Sequence, residues 1–239
     1  MTDTWMLVGI ILLGGLIQGT AGFGLGLFSM GVLVMFVSVG EAVVIVSIAS
    51  LVSTMLNWWT VRESLSWHEM WPIFATSLPT TALGIHALCN LDSGILEIGI
   101  AIMILAGCAV ALWPSRTTRI RDAFPWAYVA GSIGGLFGGA LNMGGPPIVL
   151  YTLLRGWEKS KAKSIMATYF LMIGTLRLVL LITAGVATEE LLIQSIFIVP
   201  ASLVASYVGT RIFDHMSTRV FRYAATVILL GLAIKIVAT

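Results

Sequence analysis

Two apolar segments that are too long for a single membrane crossing most constrain the fold of this chain. They cover residues 5–39 and 126–154, and as continuous helices they would measure about 44 to 53 Å, whereas the hydrocarbon core of a bilayer is about 30 Å thick. Each segment also carries a cluster of glycines near its middle. The sequence therefore predicts that both helices break inside the membrane.

The rest of the chain has the composition of a polytopic membrane protein. Hydrophobic residues make up 58% of the 239 residues, charged residues make up 10%, and the mean hydropathy is +1.00. These values exclude an ordinary soluble domain. Six further apolar segments, most of them near the ~20 residues that cross a bilayer, are residues 42–60, 70–88, 95–113, 164–184, 191–210 and 220–238. The predicted fold class is an all-α polytopic membrane protein.

The second half of the chain repeats the glycine spacing of the first half. An offset of 120 residues pairs Gly14, Gly15, Leu16, Gly19 and Gly24 with Gly134, Gly135, Leu136, Gly139 and Gly144. Internal repeats of this length are typical of secondary transporters. We therefore divide the chain into a first membrane repeat at residues 1–120 and a second at residues 121–239, within one integral membrane domain.

Positive charge orients the repeats in the membrane. Ten of the thirteen Lys and Arg residues lie at 116–121, 155–163 and 211–222, and such connections face the cytoplasm. Segment 126–154 then leaves the cytoplasm and returns to it, which predicts a hairpin of two short helices of about 13 residues each that meet at mid-membrane. Counting crossings backwards places the N-terminus outside. The prediction is two inverted repeats, each a Gly-rich broken hairpin plus three transmembrane helices.

This orientation predicts the side from which one loop reacts. A single cysteine introduced at 155–163 is expected to resist an impermeant thiol reagent added outside intact cells, because the loop faces the cytoplasm. Labelling after permeabilisation shows that the cysteine is reactive. Labelling from outside would overturn the inverted arrangement.

The two breaks are expected to meet and to bind an anion. Irregular backbone is tolerated at membrane depth only where it is buried in protein or lines a polar cavity. The stretches GTAGFGLGLFSM at 19–30 and GALNMGGPPIVLY at 139–151 enter from opposite faces. In the second, Gly144 and Gly145 are expected to adopt turn conformations closed to other residues, and the Pro-Pro pair suits the first turn of the next helix. Free N–H groups and the positive helix end at that turn favour an anion.

The same glycines have a simpler interpretation. Small residues at four-residue spacing, such as Gly131, Gly135 and Gly139, allow helices to pack closely. This interpretation does not account for Asn142 or for the Pro-Pro pair, because a continuous packed helix needs neither. Both interpretations stay open from the sequence alone.

Arg177 is the one ionised side chain well inside an apolar segment. Facing lipid, it would cost about 2.5 to 3.5 kcal/mol on insertion scales, so it is expected to point inward. Its guanidinium can hold a carboxylate or a sulfonate with two hydrogen bonds. The residue that matches it in the first repeat is Asn57, which is polar and uncharged. The alternative is that Arg177 pairs with a helix carbonyl or snorkels outward.

The predicted binding site combines both breaks with nearby polar side chains. It comprises Gln18, Thr20, Gly22, Phe23, Gly24, Gly26, Asn57, Asn142, Met143, Gly144, Gly145, Pro146 and Arg177. No catalytic residue, metal ligand or cofactor is predicted, and an enzyme is not expected, because the sequence has no HExxH motif, Cys/His cluster or Walker motif. The expected partners are a small anion and membrane lipid but no nucleic acid, and a homo-oligomer is left open.

The glycine-rich breaks resemble those of a known transporter family. The stretches GGLFGGALNMGGPPIVLY and GGLIQGTAGFG look like the paired motifs of the TauE/SafE family of sulfite and organosulfonate exporters, and the similarity covers essentially the whole chain. It implies a permease of the bacterial inner membrane that moves sulfite or a small sulfonate such as sulfoacetate outward. The alternatives are a passive anion channel and a carrier for another small anion such as a carboxylate. The resemblance assigns no role to Arg177.

Overall fold

The computed structural model describes residues 4–21, 24–112, 123–213 and 231, and in them the protein consists of helices joined by short turns. The helices are α1 (Thr4–Ala21), α2 (Leu25–Leu33), α3 (Val39–Val61), α4 (Trp67–Asn90), α5 (Ser93–Leu112), α6 (Ala123–Leu141), α7 (Gly145–Arg155), α8 (Lys159–Thr183) and α9 (Glu189–Phe213), with a 3-10 turn at Arg62–Ser64. The predicted all-α fold is confirmed in these residues. Apart from Gly231, the predicted segment 220–238 lies outside them.

Several of the described helices can cross a bilayer. The four that are long and apolar enough are Val39–Ser64, Ser93–Leu112, Ser160–Thr183 and Glu189–Gly209. Large apolar side chains such as Ile98, Ile102 and Phe197 stay exposed on them, where lipid would cover them. The predicted segment 70–88 is also helical, as part of α4, but it is not one of the four. The protein is thus a multi-pass membrane protein.

Both long apolar segments are interrupted, and their arms are unequal. The helices before the interruptions, α1 and α6, have 18 and 19 residues, and those after them, α2 and α7, have 9 and 11. The prediction of arms of about 13 residues each was therefore wrong. At 1.5 Å per residue α6 is about 28 Å long, close to the hydrocarbon thickness.

Helix α6 extends this far because it packs closely along α4. Gly131, Gly135 and Gly139 face that helix, and a methyl group on any of them would overlap backbone or threonine atoms of α4. In the first half, α1 packs in the same way against α9, where Gly15 and Gly209 are similarly crowded. The helix-packing interpretation is therefore correct for the three glycines of α6.

The order of the helices follows the 120-residue offset of the sequence. Matching helices begin at Thr4 and Ala123, Leu25 and Gly145, Val39 and Lys159, and Trp67 and Glu189. Because α1 packs on α9 and α6 packs on α4, each half supplies the helix that covers the long broken segment of the other half. The inverted orientation of the halves in the membrane stays a prediction.

An ion cluster joins α4, α7 and α8. The carboxylate of Glu69 accepts hydrogen bonds from Arg155 Nη2 at 3.1 Å and from Lys161 Nζ at 2.8 Å. Both cations also lie near the ring of Trp157, with 5.3 and 5.4 Å to its centroid. Burial raises the pKa of Glu69, but the two cations outweigh this effect and hold its pKa below the ordinary value.

We expect Glu69→Gln to have a lower Tm than the wild type at neutral pH and a similar Tm at acidic pH. A carboxyl group whose pKa is depressed in the folded state adds stability above its unfolded pKa, and this stability is lost as the pH falls through the folded pKa. The difference in Tm between the wild type and the variant in detergent should therefore shrink on acidification. The exposed Glu63→Gln is the matched control, and a difference for Glu69→Gln that does not change with pH would contradict the prediction.

Candidate functional site

A cavity of about 60 Å³ lies between the two interruptions. Backbone and side chains from both halves of the chain line it. The lining residues are Gln18, Gly24, Gly26, Leu27, Ser50, Thr54, Gly134, Gly138, Asn142, Met143, Gly144, Gly145, Tyr169, Phe170, Ile173, Gly174 and Arg177. Six helices and both interruptions thus contribute to a single space.

The two interruptions contact each other beside this cavity. A methyl group on Gly26 would overlap the backbone carbonyl oxygen of Asn142, so the first turn of α2 lies against the bend that follows α6. Gly24 begins that turn with a φ of 121°, a conformation that side chains rarely adopt. The first interruption therefore requires glycine once for its backbone conformation and once for close contact.

The second interruption uses different residues from those predicted for its turn. Asn142 takes the left-handed conformation with a φ of 56°, whereas neither Gly144 nor Gly145 has a positive φ. The prediction that these two glycines supply the unusual turn was therefore wrong, and Asn142 supplies it because asparagine tolerates this region better than most residues. Gly144 is needed for space, since a methyl group there would overlap the carbonyl oxygen of Gly134.

Both short helices begin at the cavity. In α2 the first helical hydrogen bond runs from Phe28 N–H to the Gly24 carbonyl oxygen at 2.9 Å, so the earlier amides have no helical partner. The first turn of α7 contains two prolines, which lack an N–H group, so its free donors are concentrated at Gly144 and Gly145. The positive ends of two helix dipoles face the same space.

Arg177 extends from α8 to the cavity and is only 5% exposed. Its Nε donates to Ser47 Oγ at 2.9 Å, its Nη1 to the Gly138 carbonyl oxygen at 3.0 Å, and its Nη2 to Ser50 Oγ at 3.5 Å. All three acceptors are neutral, and no carboxylate forms an ion pair with it in the described part of the chain. Because a guanidinium carries five N–H groups, donors remain for a ligand. Arg177 thus points into the protein, and it also contacts a helix carbonyl.

Helix α3 carries a polar face that connects the guanidinium to both interruptions. Ser47, Ser50 and Thr54 follow at helical spacing on one side of α3. Ser50 Oγ also accepts a hydrogen bond from Asn142 Nδ2 at 3.3 Å, and Thr54 Oγ1 accepts one from Gln18 Nε2 at 3.2 Å. This face therefore fixes the position of the cationic group relative to the two breaks.

Tyr169 closes another side of the cavity. Its hydroxyl group is buried and lies 3.0 Å from Ser77 Oγ. Ser77 Oγ also lies 2.8 and 2.7 Å from the carbonyl oxygens of Ile73 and Gly131, and its single proton is donated to one of them. Tyr169 therefore donates its own proton to Ser77, and in this arrangement it shapes the cavity without offering a donor to it.

The structure brings together most, but not all, of the predicted site residues. Those that line the cavity are Gln18, Gly24, Gly26, Asn142, Met143, Gly144, Gly145 and Arg177. Asn57 on α3 and Pro146 in the first turn of α7 are buried, but neither lines the cavity. Gly22, Phe23 and the side chain of Thr20 lie outside the described residues.

Sequence reasoning missed the hydroxyl groups of the site. Isolated Ser and Thr residues in apolar helices usually bond to their own backbone, and Ser47 Oγ does donate to the Val43 carbonyl. The available signal was the spacing of Ser47, Ser50 and Thr54, which places three hydroxyl groups on one face of a largely apolar span. Nothing comparable marks Tyr169, whose position depends on tertiary packing.

Comparison with known proteins gives a consistent result. A family model described as sulfite exporter TauE/SafE matches residues 7–236. A protein of Cupriavidus necator described as a probable sulfite/organosulfonate exporter TauE is 23% identical over 221 residues, which cover 90% of this chain and 86% of that protein. No solved structure matches the chain. The family match thus extends over both broken segments and Arg177.

Proposed function

The chain belongs to the sulfite exporter TauE/SafE family, a family of membrane transporters rather than enzymes, and we propose that it exports a small sulfur-containing anion by alternating access. The substrate is sulfite or a C2 organosulfonate such as sulfoacetate, and the membrane is the bacterial inner membrane. One observation carries the proposal: a buried guanidinium with only neutral acceptors lines the cavity between two helix N-termini.

The charge of this cavity favours an anion. Burying a cation costs several kcal/mol unless an opposite charge or a full set of hydrogen bonds compensates it. Serine hydroxyls and one carbonyl compensate Arg177 in part. An anion in the cavity would complete the compensation and would also accept from the amides of Gly144 and Gly145, whose helix dipole favours negative charge.

The weakest of the Arg177 contacts indicates where an anion would bind. The Nη2 hydrogen bond to Ser50 is 3.5 Å long, against 2.9 and 3.0 Å for the other two. A bond of this length contributes least, so a charged oxygen can replace it at little cost. Arg177 would then hold the anion with Nη2 while Nε and Nη1 keep the side chain in place.

The size of the cavity favours a small anion. A volume of about 60 Å³ is several times the roughly 10 to 15 Å³ that a cavity needs to hold one water molecule. Sulfite, with one sulfur and three oxygens, matches this space. Sulfoacetate is about twice as large and would require α2 and α7 to move apart during transport.

The proposal is tested by anion uptake into proteoliposomes. We expect saturable uptake of sulfite or sulfoacetate and acceleration by the same anion on the opposite side, because a carrier exchanges bound substrate across the membrane. Sulfate and acetate are the comparison anions, and protein-free liposomes are the control. Flux that neither saturates nor shows counterflow would indicate a passive channel. Preferred uptake of acetate would indicate a carboxylate carrier, and absence of flux for both sulfur anions would refute the proposal.

A further inference from the structure

We infer that the transport is electrogenic: the anion crosses without a coupled proton or sodium ion, and the membrane potential drives its export. This coupling rests on the proposed function and concerns the same site. It follows from where the chain places its ionisable groups.

The cavity itself holds one permanent charge. Among the described lining residues the ionisable side chains are Arg177 and Tyr169. The other polar side chains that line the cavity are the neutral ones of Gln18, Ser50, Thr54 and Asn142. The Tyr169 proton is shared with Ser77 Oγ at 3.0 Å. The site therefore offers a fixed positive charge and neutral donors to the anion.

The carboxylates lie at the ends of the helices. Glu41 closes a capping box with Ser38 in the first turn of α3, and Glu69 is paired with Arg155 and Lys161. Glu189 and Glu190 stand in the first turn of α9. The other acids of the chain are Asp92 and Glu97 near the start of α5, with the rest in connections or near residue 3. Glu97, in the second turn of α5, is the one acid inside the apolar segment 95–113, and it does not line the cavity. Carriers coupled to protons or Na⁺ use carboxylates or free backbone carbonyls at the substrate site. No carboxylate lines the cavity among the described residues, and the Gly138 carbonyl oxygen beside it accepts a hydrogen bond from Arg177 Nη1 at 3.0 Å.

The described histidines also lie outside the cavity. His86 is exposed in the last turn of α4, where its Nδ1 lies 3.2 Å from Asn90 Nδ2. His68 lies at the start of α4, and His215 follows α9 beyond the described residues. An imidazole that moved a proton with the substrate would have to face the cavity, and the lining contains none among the residues described there.

The net charge moved per cycle is therefore the charge of the anion. In a cell whose interior is negative, the potential pushes an anion outward, so export needs no other ion. A potential of about 100 mV acting on one elementary charge corresponds to a concentration ratio of about 50-fold for a monovalent anion. For a divalent anion the ratio is the square of that value, about 2,500-fold.

The test uses the intact protein in proteoliposomes with the potential clamped by a K⁺ gradient and valinomycin. Sulfoacetate, and sulfite at alkaline pH where it is the dianion, are measured together with a pH-sensitive dye inside the vesicles. We expect the anion to distribute toward the positive side by about 50-fold per charge at about 100 mV. Internal pH should not change with transport, and replacing Na⁺ by choline should have no effect.

A distribution that follows the pH gradient, depends on Na⁺ or ignores the potential would overturn the inference. His86→Gln is the matched variant and should keep the full response to potential, because His86 lies outside the cavity. Failure of the proposed function gives a different result, since no sulfur anion would then move at any potential. Flux that is present but insensitive to the potential refutes only the electrogenic coupling.

Discussion

Arg177→Gln is expected to reduce sulfite flux in proteoliposomes by about 10- to 150-fold for each charged hydrogen bond to the anion that it removes. Glutamine keeps much of the side-chain volume and can still donate to Ser47 or Gly138, but it brings no positive charge. Because the other donors of the cavity are neutral, the anion would lose the only full charge that faces it among the described residues. The initial rate at low sulfite concentration is the measurement.

Two further arginine variants separate binding from folding. Arg177→Lys keeps the charge but not the planar fork, so an intermediate rate is expected. Arg62→Ala removes an exposed arginine that stacks on Trp59 at 3.9 Å, and its rate should equal that of the wild type. Burying a cation without an opposite charge costs several kcal/mol, and glutamine avoids this cost while keeping much of the side-chain volume, so Arg177→Gln should retain its Tm. Full flux in that variant would show that the arginine is structural and that the break amides suffice.

Gly26→Ala and Gly144→Ala are expected to have the largest effects on the structure of the site. In each case the added methyl group would overlap a backbone carbonyl oxygen, that of Asn142 or that of Gly134. Backbone cannot rotate away as a side chain can, so the two breaks would have to separate. Such overpacking typically costs about 1 to 3 kcal/mol or more, and we expect a lower Tm in detergent together with loss of sulfite flux.

Two other glycines provide matched controls for these variants. A methyl group on Gly9 in α1 or on Gly94 in α5 would meet no atom within 4 Å. Gly9→Ala and Gly94→Ala should therefore preserve both Tm and flux, with slight stabilisation from the higher helix propensity of alanine. Wild-type behaviour of Gly26→Ala and Gly144→Ala would mean that the breaks are not in close contact.

The sequence located the second break because two adjacent glycines followed by two adjacent prolines do not suit the interior of a continuous helix. The cluster around Gly144 and Pro146 could be interpreted from backbone chemistry alone. The inward position of Arg177 was also predictable, since the cost of exposing a guanidinium to lipid leaves few alternatives. Both inferences depend only on the residue type and on the apolar residues around it in the sequence.

The predictions that were wrong concern features that depend on packing between segments distant in the sequence. The predicted equal arms assumed that the break falls at the middle of the hairpin, whereas α6 continues to Leu141 because its glycines lie against α4. The left-handed turn falls on Asn142 and not on Gly144. Position 144 needs glycine for a different reason, because any side chain there would overlap the carbonyl oxygen of Gly134. Tyr169 enters the site through α8 for a similar reason, and no local pattern marks it.

The central claim is that the transported anion binds between the two breaks against Arg177. Selenite is a heavier analogue of sulfite, and selenium can be located in a crystal by its anomalous scattering. Its competition with sulfite for transport would first establish that it uses the same site. Crystals grown with selenite should then show a selenium peak in the cavity, with its oxygens about 3 Å from the Arg177 guanidinium and from the amides of Gly144 and Gly145. An empty cavity, with selenium bound only elsewhere, would contradict the account.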